Sequence, residues 1–307
     1  MPVKFFGTVI SYCTNDYRFI GKCIAEAKKF SDHVVIPVCD HFFSGVPENR
    51  NLLNQTYAEH PDCTFVEFTF TPDRHYSPYC THVPSDEGWT RLWHSTARYI
   101  GSLFLRDEID YFFFLDCDEI PEGEKVAEWL HAGEYRNYNA LRLLGYYYAL
   151  RCTLRAKKFQ SLALLIRRSA LEPRFFLQVD ERHGLYQWIS EPKKKEVRGG
   201  AKPFFHHYSW VRPQSECLHK ADTWGHRTEE NWETQIEKSF EEKKFKDLFG
   251  QIDLEFEEIE NPYFDPLAVS LPTRAILKQE FPHVKRVTPR DIFQIEIEKT
   301  YGCSNDH

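Results

Sequence analysis

Asp110-Tyr111-Phe112-Phe113-Phe114-Leu115-Asp116-Cys117-Asp118-Glu119-Ile120-Pro121 is the stretch on which the reading of this chain turns. The unbroken apolar run Tyr111 to Leu115 suits a central strand buried on both faces. Asp116 and Asp118 follow where that strand leaves the sheet. In extended chain, residues i and i+2 point to the same side, so both carboxylates can approach one point while Cys117 turns inward. Two acids held that close repel unless a cation sits between them. Hard oxygen donors at an open site suit Mg²⁺ or Mn²⁺, which keep positions for water and phosphate oxygens. Pro121 suits the first position of a following helix.

Working outward, Lys4 to Ser11 reads as a buried first strand, and Asn15 or Asp16 as a helix cap. Phe19, Ile20, Cys23, Ile24 and Ala27 recur at helical spacing, predicting a helix to about Phe30. A second strand, His33 to Cys39, ends at Asp40. A helix near Asn49 to His60 precedes a third strand, Cys63 to Thr69. The pattern is β-α-β-α-β, the start of an α/β fold with an open, mostly parallel sheet flanked by helices. Thr71 to Gly88 reads as a long loop, and Trp89 to Arg106 as the helix entering the Asp110 strand. Leu141–Leu150 and Gln160–Arg168 read as strands of a mixed extension, and Glu229–Ile252 as an amphipathic helix. Ligands of such sheets bind outside the carboxyl ends of the strands. Ser11 to Thr14, Asp40, Asp116 and Asp118 should therefore border one crevice.

Composition excludes several classes. The chain of 307 residues has 39 basic and 46 acidic side chains, net charge −7, without a basic stripe, which argues against a nucleic-acid binder. Glu229 to Glu260 alone holds 12 acidic and 4 basic residues, so most of the acidity is local. No apolar run approaches the roughly 20 residues of a spanning helix, so no transmembrane segment is expected. Nine cysteines lack any Cys-x-x-Cys pair, and Met1 to Lys4 lacks a secretory layout. Both observations point to a cytoplasmic setting. The 25 Phe, 16 Tyr and 7 Trp supply core and, at some positions, surfaces for stacking on a sugar or base. The glycine, serine and histidine signatures of dinucleotide oxidoreductases, P-loop NTPases, serine hydrolases and zincins are absent.

Ser95-Thr96-Ala97-Arg98-Tyr99-Ile100-Gly101 followed by Tyr111 to Asp118 resembles the Ala-Arg-Asn-x-Gly helix and Asp-x-Asp strand of GT-A glycosyltransferases, with Tyr99 where Asn is usual. Thr8 to Ile24 is similar to the first β-α unit of family-2-like members. Asp116-Cys117-Asp118-Glu119-Ile120-Pro121 also resembles the run in β-1,4-mannosyl-glycoprotein N-acetylglucosaminyltransferase-like enzymes. The resemblance covers about residues 4–226. It implies a GT-A (Rossmann-like) catalytic domain over 1–228, with a nucleotide-sugar half of about 1–121 and an acceptor half of about 122–228. A helical C-terminal extension, 229–307, would follow. It further implies that Asp116 and Asp118 hold a Mn²⁺ or Mg²⁺ ion bridging the diphosphate of a nucleotide-sugar, UDP-linked. Asp40 would contact ribose or base with Ser11 and Tyr12 beside it, and Arg98 would lie near the nucleotide.

Phe204 to His226 gathers His206, His207, His219 and His226 with Trp210 and Trp224. Its His-x-Ser-Trp run resembles the late histidine ligand of many GT-A enzymes. His207, or else His206, would then complete the metal shell, and Lys220, Arg212 and His226 would neutralise the leaving diphosphate. Inverting transfer needs a carboxylate to take the acceptor proton; Asp180 and Glu181 are the candidates, with Glu191 behind them. The expected partners are a nucleotide-sugar donor and a glycan, glycolipid or protein acceptor. A metal-dependent phosphohydrolase or nucleotidyltransferase, and an inactive nucleotide-sugar-binding protein, are the competing readings of the same residues.

Overall fold

The computed structural model describes residues 5–71, 86–172, 181–199, 202–228, 230–242, 254–276 and 280–301. Strand β1 (Phe6–Ser11) leads through a 3-10 turn, Thr14–Asp16, into helix α1 (Tyr17–Ala27). Then come β2 (His33–Cys39), α2 (Arg50–Glu59), β3 (Thr64–Phe68), α3 (Asp86–Leu103) and β4 (Tyr111–Asp116). The later chain supplies β5 (Glu119–Pro121), α4 (Gly123–Ala132), β6 (Ala140–Ala149), β7 (Arg151–Ala156) and β8 (Gln160–Arg167). It continues with α5 (Glu181–Trp188), β9 (Lys194–Val197), β10 (Phe205–Trp210), α6 (Gln214–Thr223) and α7 (Trp232–Glu242). Last are β11 (Phe256–Glu258), β12 (Val284–Val287) and α8 (Pro289–Tyr301).

The strands form one sheet in the order β11-β7-β6-β8-β4-β1-β2-β3-β12, with β9 and β10 also beside β6, and β5 beside β10. From β4 through β1, β2 and β3 to β12 all pairings are parallel. On the other side of β4, β8 joins antiparallel and the sheet becomes mixed. The expected α/β architecture is thus present. The side-chain alternation of β4 explains its position at the centre: Phe113 and Leu115 pack with α1, α2 and α4, while Phe112 and Phe114 pack with α3, α5 and α8. Tyr111 to Leu115 are all buried, as a strand covered on both faces requires.

Several local expectations change. Helix α1 stops at Ala27, and Phe30 instead packs edge-on to Phe113 with centroids 4.8 Å apart. Asp16 occupies the N-cap position of α1 but caps nothing; its carboxylate accepts from Arg212 at 2.5 Å. Asn49 does cap α2, its side chain accepting from Leu52 N at 3.2 Å. Of the expected long loop after β3, residues 72–85 lie outside the described residues, as do 243–253 of the expected late helix. Residues beyond 229 supply α7 and α8 and also two short strands, β11 on β7 and β12 on β3, at opposite edges of the sheet.

Gly101 on α3 shows how closely helix meets sheet: a Cβ built there would stand 2.5 Å from Val9 Cγ1 and 3.2 Å from Pro37. Gly21 on α1 meets nothing nearer than His60 at 3.9 Å. Gly101→Ala should therefore cost about 1–3 kcal/mol through overpacking, whereas Gly21→Ala should add up to about 1 kcal/mol through helix propensity. Urea unfolding of the two variants checks this; equal signs would contradict the packing described.

Candidate active site

The carboxyl ends of β1, β2 and β4 open onto a cavity of about 250 Å³. Parallel pairing of β1 and β4 sets Ser11 beside Asp116, so both strands end at one level. Asp116 and Asp118 line this cavity with Ser11 at the end of β1 and Tyr12 just after it, His207 from β10, and Lys220 and His226 from α6 and the turn after it. The residues sequence reasoning assigned to one crevice are in large part assembled there.

The electrostatics of the two aspartates are more specific than the motif suggested. Asp116 Oδ1 accepts from Arg98 at 2.5 Å, and Asp116 Oδ2 accepts from Arg182 at 2.8 Å. Arg182 also bonds both oxygens of buried Glu119, at 2.6 and 2.8 Å, and Glu119 Oε2 accepts from Asp116 N at 3.0 Å. Burial would raise the Asp116 carboxyl, but Arg182 and then Arg98 hold it well below the usual carboxylate range. Asp118 Oδ2 accepts from Lys220 Nζ at 2.8 Å and from Arg212 at 3.3 Å. Its Oδ1 faces His207 Nε2 at 3.5 Å. Burial again opposes ionisation; Lys220, His207 and Arg212 together keep Asp118 far below the ordinary value. In return, Asp118 outweighs the burial of His207 and raises that imidazole. Arg212 reaches across to Asp16, Asn15 O and Ser209 O, and Lys220 also donates to Ser209 Oγ at 2.9 Å. The acids Asp16, Asp116, Asp118 and Glu119 are thus interleaved with Arg98, Arg182, Arg212 and Lys220.

Several of the expected site residues do not line the cavity, among them Arg212, which is fully buried against Asp16 and Asp118. Arg98 is buried and bonds Asp116 from outside the cavity lining. Asp40 closes the turn after β2, with Oδ1 accepting from Phe70 N at 2.7 Å and facing His41 Nδ1 at 2.6 Å. His206 turns to the opposite face of β10, as strand alternation demands of neighbours. There its Nε2 lies 3.0 Å from Glu122 Oε1 and its Nδ1 2.8 Å from Tyr148 Oη, with the ring stacked on Tyr263 at 4.5 Å. Asp180 and the side chain of Glu181 lie outside the described residues.

Against a divalent ion, the donors divide. Both Asp116 oxygens are engaged by guanidinium groups. Asp118 Oδ1 and His207 Nε2, 3.5 Å apart at the cavity wall, suit adjacent positions on one ion, which stand about 3 Å apart for octahedral geometry. Among the described residues no three His, Cys, Asp or Glu side chains form a metal-ligand cluster. The residues fit an ion held by Asp118 and His207, with ligand oxygens filling the rest of its shell.

Sequence reasoning missed Glu48. It is buried on the cavity wall, and its Oε2 accepts from Thr14 N at 3.1 Å and from the Thr14 hydroxyl. Two more site residues, Arg182 and Asp16, are likewise not marked as such by the sequence. Nothing local marks any of the three, because each acquires its partner from a distant segment.

No family model matches the chain, and no curated protein sequence matches it. Among solved structures it is similar to 4-diphosphocytidyl-2C-methyl-D-erythritol synthase from Anaerococcus prevotii, at 8% identity and TM-score 0.42 over 71% of this chain and 97% of that one. It is similar also to glucosyl-3-phosphoglycerate synthase from Mycobacterium tuberculosis in complex with Mn²⁺, UDP and phosphoglyceric acid, at 15% identity and TM-score 0.37 over 85% and 89%. S. aureus TarS matches at 11% identity and TM-score 0.38 over 78% and 73%. Likenesses at this level assign no activity; the chemistry rests on this chain's own residues. No helix among the described residues is long and apolar enough to cross a membrane.

Burial pushes the Glu48 carboxyl up to about 7, although Thr14 donates to it. An acid whose folded-state value is raised binds its proton longer when folded than when unfolded, so it destabilises the fold as pH rises from about 4.5 to 7. Glu48→Gln should therefore gain stability over the parent with rising pH, by up to about 3 kcal/mol above pH 7. Thermal melts of both at pH 5 and pH 8 test this. A difference that does not widen at pH 8 would show that Glu48 ionises without penalty.

Proposed function

We propose that this chain is a glycosyltransferase of the GT-A type, taking a nucleotide-sugar, UDP-linked, and passing its sugar to an acceptor hydroxyl. One observation carries the reading. At the carboxyl edge of the parallel strands, Asp118 Oδ1 and His207 Nε2 stand 3.5 Å apart in a cavity that Ser11 and Asp116, paired across β1 and β4, also line. The position is the one where open α/β sheets take their ligands.

In this reading the nucleotide lies over the ends of β1 and β2, where Ser11 supplies a hydroxyl and Cys39, His41, Phe42 and Phe43 form a wall. Asp118 and His207 are the residues that would hold the divalent ion. Bound there, that ion contributes positive charge against the diphosphate. The protein's own contribution is a fixed field. Lys220 is held by Asp118 and Ser209, and Arg212 by Asp16 and Asp118, so neither needs to reorganise as charge develops on the leaving group. Arg98 and Arg182 fix the Asp116 loop, which sets where Asp118 points. Asp180 and Glu181 remain the proposed bases.

UDP release from a panel of UDP-sugars, with and without Mn²⁺, tests this reading. Asp118→Asn and His207→Ala should each slow release by about 10²-fold or more, the scale of losing a preorganised charge contact. Far-UV circular dichroism and thermal melts would verify that the variants remain folded. Release at the parental rate in both variants would remove the basis of the proposal.

A further inference from the structure

His206 and His207 are neighbours on β10 with opposite surroundings. His207 lines the cavity, whereas His206 is buried on the other face, between the strands that flank β10. Register sets His206 opposite Ile120 of β5 on one side and Tyr146 of β6 on the other. Its ring spends one nitrogen on each flank. Nε2 meets Glu122 Oε1 at 3.0 Å, just past the end of β5, and Nδ1 meets Tyr148 Oη at 2.8 Å on β6. A carboxylate can only accept, so Nε2 carries the proton. Burial lowers the pKa of this imidazole, which leaves Nδ1 free to accept from the Tyr148 hydroxyl. Tyr263 stacks on the ring at 4.5 Å and 8°, and so holds its plane.

The strand held by this bridge is the one that follows Asp118. Strand β5 has three residues and, among the described residues, pairs only with β10. Asp118 directly precedes it, and the Asp118 carbonyl accepts from Tyr208 N at 2.9 Å; at the far end Glu122 N donates to Phe204 O at 2.7 Å. So short a ladder holds its register weakly, and a slip of one residue would turn every side chain to the other face. The His206–Glu122 bond runs diagonally from the His206–Ile120 pair, a cross-strand contact that a slipped register would break. With Tyr148 bonded on the opposite flank, β5, β10 and β6 are pinned at one level. The 3.5 Å between Asp118 Oδ1 and His207 Nε2 on the cavity face is thereby set from behind the sheet. Loss of a group that orients metal ligands without touching the ion typically weakens metal binding about 10- to 100-fold.

We infer that His206 is a positioning residue for the metal site, clamping β5 to β6 across β10 so that Asp118 and His207 meet; this rests on the metal-dependent transferase reading and adds to it a residue outside the cavity. The probe is Mn²⁺ added to the UDP-loaded chain, with free Mn²⁺ read by electron paramagnetic resonance. His206→Phe keeps the ring and removes both bonds, and should weaken Mn²⁺ binding about 10- to 100-fold. UDP release should return to near the parental rate once Mn²⁺ is saturating, a split that a general loss of structure would not give. Glu122→Gln, whose amide oxygen still accepts from Nε2, should keep most of the Mn²⁺ affinity that Glu122→Ala loses. In the metal-free chain, the imidazole C–H resonances of His207 should shift in His206→Phe. Thermal melts identify the folded variants; if His206→Phe does not fold, Tyr148→Phe and Glu122→Ala, each removing one bond, carry the same test. Parental Mn²⁺ affinity in folded His206→Phe, or in both single-bond variants, overturns the inference, as does an equal loss in Glu122→Gln and Glu122→Ala. A parent that binds no Mn²⁺ sinks the metal reading, yet a shift of the His207 resonances in His206→Phe would still uphold the clamp, and unmoved resonances would overturn it, so the two failures are distinct.

Discussion

Two buried acids, Asp118 and Glu119, and two half-buried ones, Asp16 and Asp116, cannot stay ionised together at neutral pH without cations within hydrogen-bonding reach, and the cations here come from other segments of the chain. Arg98 arrives on α3, Arg182 on α5, Arg212 just after β10 and Lys220 on α6. An isolated buried carboxylate costs several kcal/mol, and removing one partner of a buried pair typically costs about 3–5 kcal/mol. The ends of β1 and β4 therefore dictate where the later helices must dock. The ion-pair lattice joins the parallel and mixed halves of the sheet across the very edge where the cavity opens.

That lattice constrains the chemistry. Its acids and bases balance, so the cavity floor offers an incoming diphosphate little uncompensated positive charge. Protonation of His207 would add some, and a divalent ion between His207 and Asp118 would add more. The two aspartates that look alike in sequence therefore divide their work. Asp116 is consumed in holding Arg98 and Arg182 and organises the loop through Glu119. Asp118 keeps one oxygen turned to His207 at the cavity wall. A motif of two carboxylates is in this sense one positioning group and one presenting group.

What could be read from the chain alone follows the range of the forces involved. Strand β4 was legible because burial on both faces imposes five apolar residues in a row, and α2 because Asn49 is a local cap. His207 was legible from alternation once β10 was placed, since His206 had to face away. Arg182 was not, because its partners Asp116 and Glu119 lie 66 and 63 residues distant. Asp16 looked like a cap because Asp is a good cap; a guanidinium 196 residues away outcompetes the backbone amides for it. The edge strands β11 and β12, with 3 and 4 residues, carry too little periodicity to declare themselves.

The same reasoning bears on why Glu48 and Trp224 stand out. Most groups around the cavity are in low-energy arrangements: charges paired, aromatic rings buried, caps filled. Glu48 is a buried acid whose ionisation is disfavoured, and Trp224 is a large apolar ring partly open in a polar cavity. Local features that oppose the general economy of a fold persist where something outside the chain repays them. One flanks the ends of β1 and β2, the other follows α6 beside β10, and the ion-paired aspartates of β4 lie between.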